Sequence, residues 1–131
     1  MLLSKETDYA IRIVSCLSKS DRHLSAAEIS AKTGVTKSFA LKILHSLLNN
    51  GVVSGIKGKN GGYLLCKKPK DITLLEIIQI FDETSFVNHC THRNSCNNPG
   101  GCCEFKWVFD NASQCLKGIF GKVTFDNENN I

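Results

Sequence analysis

Through the first fifty residues, apolar side chains recur every three or four positions between short polar breaks, the signature of consecutive amphipathic helices. SKETDYAIRIVSCLSK opens with Ser4 as an N-cap and sets Ala10, Ile13, Val14 and Leu17 on one face, predicting a first helix. LSAAEISAKTGV pairs Ser25 with Glu28 in a capping box and ends at Gly34, predicting a short second helix. After the Gly34-Val35 turn, TKSFALKILHSLLNNG repeats Phe39, Leu41, Ile43, Leu44, Leu47 and Leu48 in a mostly 3.6-residue pattern and stops at Asn50-Gly51. This predicts a third helix of about four turns, with Phe39 and Leu41 assigned to the core.

The period then changes. VVSGI and YLLCK are short strand-like runs separated by KGKNGG, whose glycines permit a tight turn, so they read as a β-hairpin. Two helices joined by a glycine turn and followed by a hairpin form a winged helix-turn-helix, whose second helix in the pair enters the DNA major groove. Lys57 and Lys59 at the hairpin tip suit a wing approaching a phosphate backbone. TLLEIIQIFD follows as a strongly apolar short helix expected to pack on the wing. Farther on, EFKWVFDNASQCLKGIFGKV carries an apolar stripe at Phe105, Val108, Phe109, Ala112, Cys115, Leu116 and Ile119. A stripe of that length in a small protein needs a partner, which is either a second copy of the chain in a dimer or, if the helix folds back, the chain's own first core.

Charge sharpens this picture. The first seventy residues hold twelve Lys or Arg against four Asp or Glu, a net of +8, and the remaining sixty-one carry a net of −4. A basic front half joined to an acidic back half is the polarity of a polyanion-binding module attached to a module of another kind. No apolar run reaches the roughly 18 residues a membrane span requires, and the first residues lack the apolar region of a signal peptide. The expectation is a cytoplasmic protein with no membrane partner.

Seven cysteines are distributed unevenly. Four lie in CTHRNSCNNPGGCC, where Cys90, Cys96 and Cys102 are spaced C-x5-C-x5-C with Cys103 adjacent. An odd count in a reducing compartment argues for a metal-binding or redox role over a disulfide framework. His89 and His92 flank Cys90, so a mixed Cys/His zinc site competes with an iron-sulfur site. Cys16, Cys66 and Cys115 stand singly in apolar segments and are expected to be small buried hydrophobes.

The run LKILHSLLNNGVVSGIKGKNGGYLL, with DYAIR near the start and the three spaced cysteines, resembles the IscR/NsrR family of winged-helix transcriptional regulators over roughly residues 1–119. The resemblance implies a homodimer that binds a palindromic double-stranded DNA operator. It also implies an iron-sulfur cluster held by Cys90, Cys96 and Cys102, with [4Fe-4S] favoured over [2Fe-2S]. The histidine ligand of the IscR branch falls here on Phe105, whereas Asp8 in TDYAIR stands where the NsrR branch supplies a carboxylate from the partner subunit. For DNA contacts the resemblance points to Thr36, Lys37, Ser38 and Lys42 at the start of the recognition helix and to Lys57 in the wing.

The expected architecture is mainly α with a small β-hairpin: a winged helix-turn-helix over 1–82, a cysteine-rich cluster loop over 83–103, a dimerisation helix over 104–125 and a disordered tail over 126–131. No nucleophile and base pair, phosphate loop or paired catalytic carboxylates suggest an enzyme. The competing function is a zinc-stabilised or iron-sulfur binding or electron-transfer module without gene control, though an electron carrier has no use for a basic winged helix.

Overall fold

A computed structural model describes residues 3–82 and 104–126. The elements run α1 (Lys5–Ser18), α2 (Ala26–Thr33), α3 (Lys37–Asn49), β1 (Val53–Ile56), β2 (Gly62–Leu65), a 3-10 turn (Pro69–Asp71), α4 (Leu74–Phe81) and α5 (Lys106–Phe120). Among the described residues no helix is long and apolar enough to cross a membrane.

Local chemistry sets the boundaries. The Ser4 hydroxyl accepts from the Thr7 amide to start α1, and Ser25 and Glu28 exchange both bonds of a capping box at α2. Gly34 closes α2 at φ 76°, a left-handed conformation that a side chain disfavours. One core gathers the inward faces: Ala10, Ile13 and Val14 of α1, Ile29 of α2, Ile43, Leu44 and Leu47 of α3, and Ile77 of α4 are all buried. Removing one such aliphatic side chain costs about 2–5 kcal/mol, so this core fixes the angle at which α3 is presented.

The hairpin is antiparallel, pairing Val53 with Leu65 through Ile56 with Gly62. It is tied back to the helices by a bridge in which the Leu24 and Tyr63 backbones exchange hydrogen bonds of 3.1 and 2.8 Å. Gly62 is required there, because a Cβ would stand 2.5 Å from the Leu24 carbonyl oxygen. The mainly helical fold with a two-stranded wing is as the sequence predicts.

Two placements differ from expectation. Helix α4 packs on α1 and α5 instead of principally on the wing, with Ile77 and Ile78 fully buried. The last helix ends at Phe120, and the chain then turns back: Phe125 is buried and its amide donates to the Pro69 and Ile72 carbonyls. The far end of α5 is thereby pinned to the winged domain.

Candidate nucleic-acid interface

Helix α3 buries Ala40, Ile43, Leu44 and Leu47, which turns Ser38, Lys42, His45 and Asn49 outward at i, i+4, i+7 and i+11 spacing. All four are exposed and make one polar stripe. At its head, Thr36 is the N-cap, but its side chain makes no capping hydrogen bond and no acidic residue occupies the first turn. The helix therefore presents uncompensated N–H groups, the Thr36 hydroxyl and the exposed Lys37 ammonium together, an arrangement that favours an anion.

Phe39 and Leu41, expected in the core, are instead 43% and 42% exposed. They sit about 100° to either side of the buried row, where neighbouring elements cover them only in part. Phe39 makes an edge-to-face contact with Tyr9 of α1, ring centroids 5.6 Å apart. Leu41 lies on the opposite flank. Together with the exposed His45 and Asn49 they widen the set of functional candidates on α3.

At the wing, Lys57 and Lys59 are exposed on the turn closed by a 3.0 Å bond from the Gly61 amide to the Gly58 carbonyl. A second positive region lies along α1 and α2, where Arg12, Lys19 and Lys32 with Thr33 line a shallow depression of about 420 Å³.

The first turn of α1 connects to three places. Asp8 bonds Arg12 at 2.9 Å, and its side chain stays 54% exposed; the Arg12 guanidinium lies 5.8 Å from the Tyr9 ring centroid. Glu6 pairs with Lys42 of α3 at 2.7 Å. On the inner side, Asp82 just beyond α4 accepts three hydrogen bonds on one carboxylate oxygen, from the Ser4 amide at 2.9 Å, the Ser4 hydroxyl at 3.2 Å and the buried Thr7 hydroxyl at 2.6 Å. The residue that caps the end of α4 is thus fastened to the start of α1.

The cluster candidates Cys90, Cys96 and Cys102, like His89, His92 and Cys103, lie outside the described residues, as does the tail beyond residue 126. Among the described residues no group of three or more His, Cys, Asp or Glu side chains is gathered to hold a metal ion. Cys66 and Cys115 are exposed and Cys16 half-buried, against the expectation of burial. Cys66 follows the last ladder residue of the wing, and Cys115 lies on the outward side of α5.

Helix pair, wing and exposed basic face together define a winged helix-turn-helix protein. The chain belongs to the Rrf2 family, described as iron-dependent transcriptional regulators, whose model matches residues 3–127. It is 30% identical over 128 residues to the HTH-type transcriptional regulator IscR of Photorhabdus laumondii, covering 96% of this chain and 77% of that protein. It is 31% identical over 98 residues to IscR of Klebsiella pneumoniae, covering 75% of this chain. The chain spans 59% and 60% of the length of two other matched relatives, protein aau3 of Rhizobium meliloti and the Klebsiella IscR. Among solved structures, CymR of B. subtilis superposes with a TM-score of 0.79 at 20% identity over 98% of this chain and 96% of that one. IscR of T. potens gives 0.77 at 17% identity over 98% and 85%. The family is one of regulators, not enzymes.

Proposed function

We propose that the chain works as a homodimeric, cytoplasmic repressor that binds a palindromic double-stranded operator and senses redox state, nitric oxide or iron-sulfur status through a cluster on Cys90, Cys96 and Cys102. The observation that carries the DNA reading is the head of α3, where an uncapped helix start, a free Thr36 hydroxyl and Lys37 stand beside the exposed Ser38–Lys42 stripe. Hydroxyls and lysines there contact phosphates and base edges, while Leu41 and Phe39 offer apolar contact to a thymine methyl. Lys57 and Lys59 extend phosphate contact from the wing.

The donor set fits an iron-sulfur group. Three soft thiolates at even spacing suit iron bridged by sulfide and leave a fourth position for a weaker ligand. Asp8 fits that position from the partner subunit, because its carboxylate is held only by an exposed, exchangeable pair with Arg12. Phe105 offers no ligand atom where the IscR branch has histidine. When bound, the cluster would supply reactivity toward nitric oxide or oxygen that protein side chains lack. Cys90, Cys96 and Cys102 would hold it with Asp8 of the partner subunit, and Asp82 and α1 would carry its presence to the winged domain.

The test is DNA binding across a salt series with anaerobically purified protein. Lys57→Ala should weaken binding to many sequences alike and make the plot of log affinity against log salt shallower by about one unit, one lost phosphate contact. A loss confined to one operator with an unchanged slope would overturn the wing's role. A colourless protein with stoichiometric zinc in place of iron and sulfide would overturn the cluster reading.

A further inference from the structure

Resting on the DNA-binding reading, and adding a residue to it, we infer that Glu6 is an internal competitor for DNA phosphate that holds the Lys42 ammonium in the free protein and sets how much positive charge the recognition helix presents. Glu6 and Lys42 are 36 residues apart in sequence, yet their Oε1 and Nζ atoms meet at 2.7 Å. A carboxylate oxygen at that distance stands to the ammonium as a phosphate oxygen would.

Most exposed ion pairs join two mobile chains and contribute little. Here the backbone that carries Glu6 is fixed on both sides. Ser4 and Thr7 are bonded to Asp82, and Thr7 is fully buried. Three residues beyond Glu6, Tyr9 packs its ring edge-to-face on Phe39, which fixes α1 against the recognition helix itself. Lys42, in contrast, keeps 63% of its side chain exposed, so it can leave Glu6 for DNA while the carboxylate stays in place. It also lies on the same outward stripe as Ser38, the face the groove would meet. Binding would therefore exchange one anion for another at Lys42 and leave Glu6 facing the duplex without its counter-ion.

The consequence is measurable. Glu6→Gln should tighten binding to operator and unrelated duplex alike by about two- to fivefold at moderate salt, the worth of one exposed ion pair. The salt slope should become steeper, because Lys42 then neutralises a phosphate without first giving up a partner. Lys42→Ala should weaken binding and make the slope shallower. The deciding measurement is the double variant: Glu6→Gln must gain less in the Lys42→Ala background than in the wild type. Equal gains in both backgrounds would mean that Glu6 is only a negative charge near DNA and would overturn the inference. So would a wild type in which Lys57→Ala weakens binding while Glu6→Gln has no effect, which leaves the DNA reading standing. A wild type with no salt-dependent duplex binding overturns both.

Discussion

Thr36 and Ser25 occupy equivalent N-cap positions, yet only Ser25 bonds into its helix, with Glu28 answering in a capping box. The difference separates two kinds of helix start: α2 closes its own donors, whereas α3 leaves its donors without a side-chain cap. Glu28 is also held by Arg22 at 2.7 Å, and the Arg22 hydrogen bond, then the Ser25 amide, draw its pKa below the ordinary 4.5. A carboxyl depressed on folding stabilises the folded state above its unfolded value, and that contribution disappears as pH falls through the folded value. Glu28→Gln should therefore lower the melting temperature at neutral pH, and the gap from wild type should close as the solution is taken below about pH 4.5. A gap that persists unchanged in acid would show that Glu28 acts through packing instead. The capping residues were readable from sequence because their partners lie within three positions. The exposure of Phe39 and Leu41 was not, since a hydrophobic residue on the flank of a helix is buried or bare according to what else lies there, and periodicity does not say.

At the scale of elements, α5 shows how one apolar stripe can be two. Phe109, Ser113, Leu116 and Phe120 are buried or half-buried on the side that meets the winged domain. Phe105, Val108, Cys115 and Ile119 are exposed, and with Ala112 they repeat at alternating steps of three and four residues, the spacing of a two-helix seam. The sequence shows that the helix is apolar over a wide arc, but it cannot divide the arc between the chain's own core and a second copy. The return of Phe125 to the domain was equally hidden, because a short segment with one aromatic residue has no period to read. The division makes a specific prediction for the proposed dimer. Val108→Asp with Ile119→Asp should yield monomers in sedimentation while the melting temperature of the folded domain stays near wild type, since both side chains are already exposed within one chain. Phe109→Asp should do the opposite, lowering the melting temperature, because it places a charge against the domain at a cost of a few kcal/mol. If the double variant remains dimeric, the two copies meet elsewhere.

For the whole molecule, the recognition helix α3 and Asp82, the residue before the cysteine-rich segment, both make contacts with the first turn of α1. Asp82 accepts from Ser4 and Thr7, Asp8 is exposed on the same turn, and Glu6 reaches the recognition helix. A ligand set divided between the loop and Asp8 of the partner subunit would make cluster occupancy depend on how two winged domains are arranged, and the arrangement depend in turn on occupancy. Under the proposed function, the thiolates and the carboxylate then contribute differently. Replacing any one of Cys90, Cys96 or Cys102 by Ala should abolish retention of iron and sulfide, because two thiolates and a weak oxygen donor leave iron open to solvent. Cys103→Ala should retain both. Asp8→Ala should keep most of the colour and change the rate of reaction with nitric oxide or oxygen, since only the exchangeable contact is removed. Glu6→Gln, two residues away and directed at Lys42, should leave that rate unaltered while changing DNA affinity. Iron and sulfide analysis decides the ligand set: cluster loss in Cys103→Ala with retention in Cys102→Ala would move the third ligand by one residue. An Asp8→Ala rate equal to that of the wild type would remove the carboxylate from the site and leave the fourth position to a group outside α1.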